Sequence, residues 1–152
     1  MFDHEKLDVY QLEFKFLAWA TEFLVELAEK PSPVNKRELI DQLDRASLSA
    51  LLNTAEGNGQ RQGKQRAKFF DDARGSAFEC AACLDASVAK KLSNIGRIQS
   101  GKDLLERIVA MLSKLVERFD PDSYRVRERE NAVGDAEPIE DEDDKPAGGQ
   151  RL

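Results

Sequence analysis

The stretch of chain from residue 7 to residue 28 reads LDVYQLEFKFLAWATEFLVELA, and it decides the fold because its apolar side chains recur at helical spacing. At 100° per residue they fall into two lanes that lie roughly 145° apart around one helix. The first lane contains Leu7, Tyr10, Phe14, Leu17, Leu24 and Ala28. The second lane contains Val9, Leu12, Phe16, Trp19 and Phe23. An outer helix of a monomeric bundle needs only one such lane, so two lanes indicate a further partner.

The aromatic-rich second lane admits three interpretations. It is ordinary core, a self-association surface, or a groove for a helix of another protein. The double lane favours a subunit interface, which we expect to consist of Leu12, Phe16, Trp19 and Phe23. Part of the breadth of this helix could still be absorbed inside the bundle.

The rest of the domain is also expected to be helical. All five prolines lie outside residues 34–120, and a proline inside a helix costs about 3 kcal/mol. No run alternates between polar and apolar residues, so the sequence predicts an all-α domain. The predicted helices are Asp3–Glu29, Asn35–Glu56, Lys64–Asn94 and Ser100–Phe119. Their lengths and short loops predict an antiparallel up-down-up-down four-helix bundle over residues 1–120.

Helix ends are predicted from capping residues. Asn35 with Glu38, and Ser100 with Asp103, have the spacing of N-terminal caps. Gly57 is the predicted residue just beyond the second helix.

Charge and composition separate a tail from this domain. The chain has 152 residues, of which 34% are charged and 41% hydrophobic, as in a soluble globular protein. Residues 121–152 hold ten acids and five bases with few large apolar residues, so we predict a disordered acidic tail. A helical extension over residues 124–131 is the alternative. No apolar run approaches the roughly 20 residues of a membrane span. With no visible secretory signal and only two cysteines, we expect a cytoplasmic protein.

Residues 53–79 carry a family resemblance. They read NTAEGNGQRQGKQRAKFFDDARGSAFE, in which an Asn-x-Ala-Glu-Gly turn precedes a glycine and an arginine, a phenylalanine pair and Ala-x-Gly-Ser-x-x-Glu. This pattern resembles the bacterial four-helix-bundle family that includes proteins encoded by intervening sequences within 23S ribosomal RNA genes. The accessory variability protein of diversity-generating retroelements is related to that family. The likeness covers roughly residues 2–119 and is most specific from Asn53 to Ser76.

The resemblance implies an antiparallel bundle that assembles as a homopentameric, barrel-like ring. For the retroelement branch alone, it also implies a nucleic-acid or reverse-transcriptase partner.

Four bases follow the second predicted helix without an intervening acid. They are Arg61, Lys64, Arg66 and Lys68. With the positive end of the third helix they form a candidate phosphate-binding surface, independent of sequence and sensitive to salt. The alternative is a solvated face partly neutralised by Asp71 and Asp72, and it is the better interpretation for one subunit. Repetition around a ring would favour binding.

The family-like turn contains polar and small residues that we interpret as structural. They are Asn53, Glu56, Gly57, Gly75 and Ser76. We expect Asn53 to satisfy a backbone group and Glu56 to pair with Arg61 or Arg74. Because glycine inside a helix costs about 1 kcal/mol against alanine, we expect a close backbone contact at Gly75.

Catalytic chemistry is not indicated. Cys80 and Cys83 form C-x-x-C in mid-helix, which favours small buried residues over a redox or zinc site. The chain has one histidine, no activated serine and no glycine-rich phosphate loop. We therefore predict no catalytic, cofactor-binding or metal site, no small-molecule substrate and no membrane association.

Together these patterns predict a non-enzymatic, homo-oligomeric scaffold, of pentameric size by the resemblance. Its expected contact surface is the basic stretch Arg61–Lys68, which the acidic tail would screen or shield from wrong partners. The alternative is a nucleic-acid-binding accessory protein that uses the same basic stretch.

Overall fold

The computed structural model describes residues 1–134, apart from the side chains of residues 123 and 124. Within that range the chain forms helices and no strand, which confirms the all-α prediction. A short 3₁₀ helix, Asp3–Lys6, precedes five α-helices. These are α1 (Asp8–Glu29), α2 (Arg37–Gly59), α3 (Gly63–Ala89), α4 (Ile95–Phe119) and α5 (Pro121–Gly134).

The ends of α1 and α2 differ from the prediction for local reasons. Leu7 is extended, with ψ of 127°, so the predicted first helix is divided into the 3₁₀ helix and α1. Gly57 does not follow α2 but lies inside it, and a Cβ atom there would sit 3.0 Å from Phe69 and 3.1 Å from Phe70. Glycine at this position therefore permits close approach of α2 and α3, and α2 continues to Gly59.

The connection between α3 and α4 has the expected length but lies five residues earlier in the chain than predicted. Lys91 adopts a left-handed conformation with φ of 59°, and the backbone N–H groups of Leu92 and Ser93 both donate to the Ser87 carbonyl oxygen. Asn94 then caps α4, because its Oδ1 accepts a 2.9 Å hydrogen bond from the Arg97 backbone N–H. The predicted start at Ser100 is wrong, and α4 is one turn longer at its N-terminus.

The four long helices enclose one core. Helix α1 packs against α2 and α4, and α3 packs against the same two helices. The largest fully buried apolar side chains are Phe16, Phe23, Phe70, Leu27, Leu43, Leu84, Ile108 and Leu112. Burial of each such side chain contributes about 1.5–3 kcal/mol, so this core is the main stabilising feature of the fold.

The predicted tail begins with a helix. Helix α5 packs against α4, and Arg127 in α5 forms an ion pair with Asp71 in α3. Residues 121–134 are therefore helical, and the predicted disorder of residues 135–152 lies outside the described residues. No helix in the described range has both the length and the apolarity to cross a membrane.

Candidate nucleic-acid and assembly surfaces

Three of the four predicted basic residues form an exposed group where α2 meets α3. Arg61 lies in the loop, and Lys64 and Lys68 lie one turn apart on α3, all exposed to solvent. None of the three forms an ion pair with a side chain of the described residues. We call Arg61, Lys64 and Lys68 the basic turn. Its charges are free to meet an external anion.

Arg66, the fourth predicted base, is used by the protein itself. Its guanidinium lies 4.4 Å from the centroid of the Phe119 ring, and its Nη2 donates a 3.2 Å hydrogen bond to Asn58 Oδ1. The side chain is half-buried, and its Nε is buried without a hydrogen-bond partner. Arg66 therefore joins the start of α3 to the ends of α2 and α4, and it is not part of the exposed phosphate-binding candidate.

The expected neutralisation of the basic turn by Asp71 does not occur. Asp71 instead pairs with Arg127 and lies 3.7 Å from Arg74 Nη1. The Asp71 carboxylate therefore links α3 to α5 and not to the basic turn, and the exposed Asp72 also forms no ion pair with a side chain of the described residues.

The family-like turn contains hydrogen bonds between α2 and α3. Asn53 Nδ2 donates to the Ser49 carbonyl oxygen at 3.0 Å and to Ser49 Oγ at 3.1 Å. The Ser76 hydroxyl of α3 lies 3.0 Å from the same Ser49 Oγ. Glu56 does not pair with Arg61 or Arg74, because its carboxylate accepts a hydrogen bond from Gln60 Nε2 at 3.3 Å.

The close contact that the sequence predicted at one glycine occurs at another. A Cβ atom at Gly75 would meet nothing within 4 Å, so the predicted close contact there is wrong. The close contact lies at Gly101 in α4, where a Cβ atom would be 2.5 Å from the Trp19 ring. This glycine provides the space in which Trp19 packs against α4.

The predicted assembly lane is part of the chain's own core. Leu12, Phe16 and Phe23 are 5%, 1% and 1% exposed, so they cannot contact a second subunit. Trp19 is half-buried, stacks on Phe16 and Phe23, and lies 5.1 Å beneath the Arg97 guanidinium. The neighbouring helices α2 and α4 cover this side of α1, which corrects the predicted interface.

Part of the other lane of α1 faces solvent, whereas Leu7 and Leu24 of that lane pack against the core. Phe14 is 61% exposed, and on the adjacent helix Leu48 and Leu52 are 46% and 56% exposed. Because Glu13 contacts Thr54 across the α1–α2 boundary, helical geometry puts Phe14 and Leu52 on the outer side of that same boundary. We call Phe14, Leu48, Leu52 and the half-buried Leu17 the apolar face.

Sequence reasoning missed a buried carboxyl group, Glu13 in α1, which is 1% exposed. Its Oε1 accepts a 2.6 Å hydrogen bond from the Thr54 hydroxyl, whereas its Oε2 is buried without a partner. Burial raises the pKa of Glu13 to about 8, and the Thr54 hydrogen bond offsets part of that effect. One sign in the sequence that Glu13 is buried is its position between Leu12 and Phe16, two residues of the second lane.

The cysteines behave as small core residues. Cys80 is fully buried and Cys83 is half-buried, and neither forms a disulfide. Burial raises the pKa of both thiols, that of Cys80 to about 12, so the reactive thiolate is disfavoured. Within residues 1–134, no three side chains of the His, Cys, Asp or Glu type are grouped closely enough to hold a metal ion.

The chain matches a known protein family over most of the bundle. The sequence model of the family described as "23S rRNA-intervening sequence protein" matches residues 5–114. The matched range begins in the 3₁₀ helix, ends within α4, and contains all of α1, α2 and α3. It also includes the basic turn and the apolar face.

Proposed function

The chain belongs to the 23S rRNA-intervening sequence protein family, and we propose that it is a non-enzymatic cytoplasmic scaffold built from several copies of itself. The apolar face is the observation that carries this proposal. A pentamer is the size that the family resemblance suggests. Burial raises the pKa of both thiols, and the Glu56 carboxylate is hydrogen-bonded to Gln60, which favours structural roles for these groups and a scaffold over an enzyme.

The proposed subunit is an antiparallel up-down-up-down bundle. Contacts between helix pairs support this topology, because early residues of one helix meet late residues of its neighbour. Glu13 near the start of α1 meets Thr54 near the end of α2. Likewise Lys102 near the start of α4 pairs with Asp85 near the end of α3, at 2.7 Å.

Self-association would remove the apolar face from water. Three large side chains that are about half exposed on adjacent helices form a larger apolar surface than singly scattered residues do. Burial of apolar area on association stabilises a complex by roughly 25 cal/mol per Å², before the cost of lost freedom is subtracted. In a closed ring such as a pentamer the contact is heterologous, so the apolar face of each subunit would pack against a different surface of the next copy.

Analytical ultracentrifugation tests the assembly. We expect the full chain to sediment as an oligomer at micromolar concentration, and Leu48→Gln with Leu52→Gln to shift it towards the monomer. Ile95→Gln is the matched control, because Ile95 is 69% exposed but lies at the start of α4, away from the apolar face. A wild-type chain that sediments as a stable monomer contradicts the proposal.

Nucleic-acid binding is the second candidate function, and the unpaired charges of the basic turn favour it. We expect retention on a phosphate-bearing column that falls steeply as salt increases. Arg61→Glu with Lys64→Glu should abolish that retention, while Lys15→Glu, an exposed charge on α1, should change it little. Absence of retention at low salt would remove this candidate.

A further inference from the structure

Three aromatic rings cluster where the chain enters α1. Phe2 and His4 are stacked, with ring centroids 5.7 Å apart and planes 9° apart. Tyr10 meets His4 edge-on at 4.8 Å. Phe2 is 76% exposed, and His4 and Tyr10 are half-buried. This aromatic cluster therefore presents ring surface to solvent instead of filling the core.

A groove of about 450 Å³ extends from this cluster to the end of α2. His4 lines one side, and Leu52, Gly59 and Gln60 are among the residues that line the other. Gln60 is followed directly by Arg61, the first residue of the basic turn. The aromatic cluster and the basic turn therefore lie at the same end of the bundle.

Three acidic groups around the cluster accept hydrogen bonds, and one of them, Asp3, is paired with a positive charge. Asp3 pairs with Lys6 at 3.2 Å, and Glu5 accepts a hydrogen bond from the Phe2 backbone N–H. Glu56, which also lines the groove, accepts a hydrogen bond from Gln60. A bound polyanion would therefore place its phosphates towards Arg61 and away from these carboxylates.

We propose that this end of the molecule binds single-stranded nucleic acid, with unpaired bases stacked on Phe2 and His4 and with phosphates held by the basic turn. The inference rests on the second candidate function and specifies its ligand. Aromatic rings beside a positively charged path are the combination that binds single strands without sequence preference, because every base has a face that can stack. In a duplex the bases are already stacked and paired, so the aromatic cluster adds nothing to duplex binding.

Fluorescence anisotropy with the full chain, carrying any purification tag at its C-terminus, tests this ligand choice. The probes are a labelled 20-nucleotide thymidine strand and a labelled 20-base-pair duplex at the same salt concentration. Phe2→Ala with His4→Ala should weaken binding of the single strand about tenfold, since one stacked base contributes that order of affinity. The same change should leave duplex binding unaltered.

Two further variants distinguish the outcomes. Phe78→Ala is the matched aromatic control, because Phe78 is 51% exposed but lies on α3 outside the groove, and it should not change either affinity. Arg61→Gln with Lys64→Gln should weaken binding of both probes and reduce the salt dependence. If the charge variant weakens binding and Phe2→Ala with His4→Ala does not, the single-strand proposal is overturned while the second candidate function stands. Binding of neither probe at low salt overturns both, and sedimentation then decides the scaffold proposal separately.

Discussion

At the scale of single residues, Glu13 has the most altered chemistry. A carboxyl group in an apolar interior is favoured in its neutral form, because the charged form loses its hydration. Thr54 supplies one hydrogen bond to Oε1, but Oε2 has no partner to stabilise a negative charge. The folded protein therefore binds a proton at Glu13 under conditions in which the unfolded chain has released it.

The consequence is a specific dependence of stability on pH. Below the ordinary pKa of 4.5, folded and unfolded chains both hold the proton; between 4.5 and about 8 only the folded chain holds it. Over that window the free energy of unfolding should fall as pH rises, by at most about 1.4 kcal/mol per pH unit from this group, and it should level off above the window. Urea denaturation of wild type and Glu13→Gln at a series of pH values measures the difference between the two proteins.

Glu13→Gln keeps an oxygen that accepts from Thr54 but cannot ionise. We expect the wild type to lose stability relative to this variant as pH rises from 5 to 8, with no further change at pH 9. A constant difference across the series would show that Glu13 ionises in the folded state as it does in the unfolded chain.

Lys91 offers a second prediction at this scale. A non-glycine residue in the left-handed region costs roughly 1–2 kcal/mol, and Lys91 has φ of 59°. Lys91→Gly should therefore raise the free energy of unfolding by about 1 kcal/mol. Lys90→Gly is the control, since Lys90 has φ of −78° and glycine gives no relief there. Equal effects of both variants in urea denaturation would refute the backbone explanation.

At the scale of helices, the contact between Trp19 and Gly101 explains why the second lane of α1 faces inward. The absence of a side chain at Gly101 lets the indole lie against the α4 backbone, and the Arg97 guanidinium lies over the ring, 5.1 Å from its centroid. Arg97 is held there by two hydrogen bonds to Glu26, at 2.8 and 2.7 Å, which lower the pKa of Glu26.

A pair of glycine substitutions tests this packing. Replacing glycine by alanine inside a helix stabilises the helix by about 1 kcal/mol at either position. The difference in stability between the two variants therefore reports how much space each new Cβ atom has. Gly75→Ala should stabilise the protein, because its Cβ meets nothing within 4 Å. Gly101→Ala should be the less stable of the two by about 1–3 kcal/mol, because its Cβ overlaps the Trp19 ring. Equal thermal stabilities of the two variants would place Trp19 outside the bundle.

Some features of these helices are predictable from the sequence, and others depend on contacts between distant parts of the chain. Proline placement and apolar periodicity were sufficient to predict the four long helices, since both act within one segment, but not α5 or the exact start of α4. The choice of inward lane on α1 was not accessible, because both lanes are apolar and the decision depends on Gly101, far away in sequence. Arg66 was misassigned for the same reason: its charge is visible in the sequence, but its contact with Phe119 is formed only when α4 returns to the start of α3.

At the scale of the whole molecule, charge is distributed unevenly between the two ends of the bundle and the tail. Residues 135–152 contain seven acids and two bases, and they follow α5, which starts beside the basic-turn end of the bundle. Gly63 at the start of α3 demonstrates that proximity, because a Cβ there would lie 3.1 Å from the Phe119 carbonyl oxygen. We expect this acidic segment, attached to the bundle through α5, to compete with external polyanions for the basic turn.

Neutralising the acidic run from Glu140 to Asp144 with the corresponding amides should therefore raise affinity for the thymidine strand several-fold at low salt. The gain should shrink as salt increases and screens the charges. Anisotropy titrations at several salt concentrations measure it. A matched control removes five exposed acids at the opposite end of the bundle, namely Glu22, Glu29, Glu38, Asp41 and Asp44. Both variants change the net charge by five. A difference between their affinities for the thymidine strand must therefore come from a local effect of the tail. If the two affinities rise equally, the tail acts through net charge alone and does not compete for the basic turn.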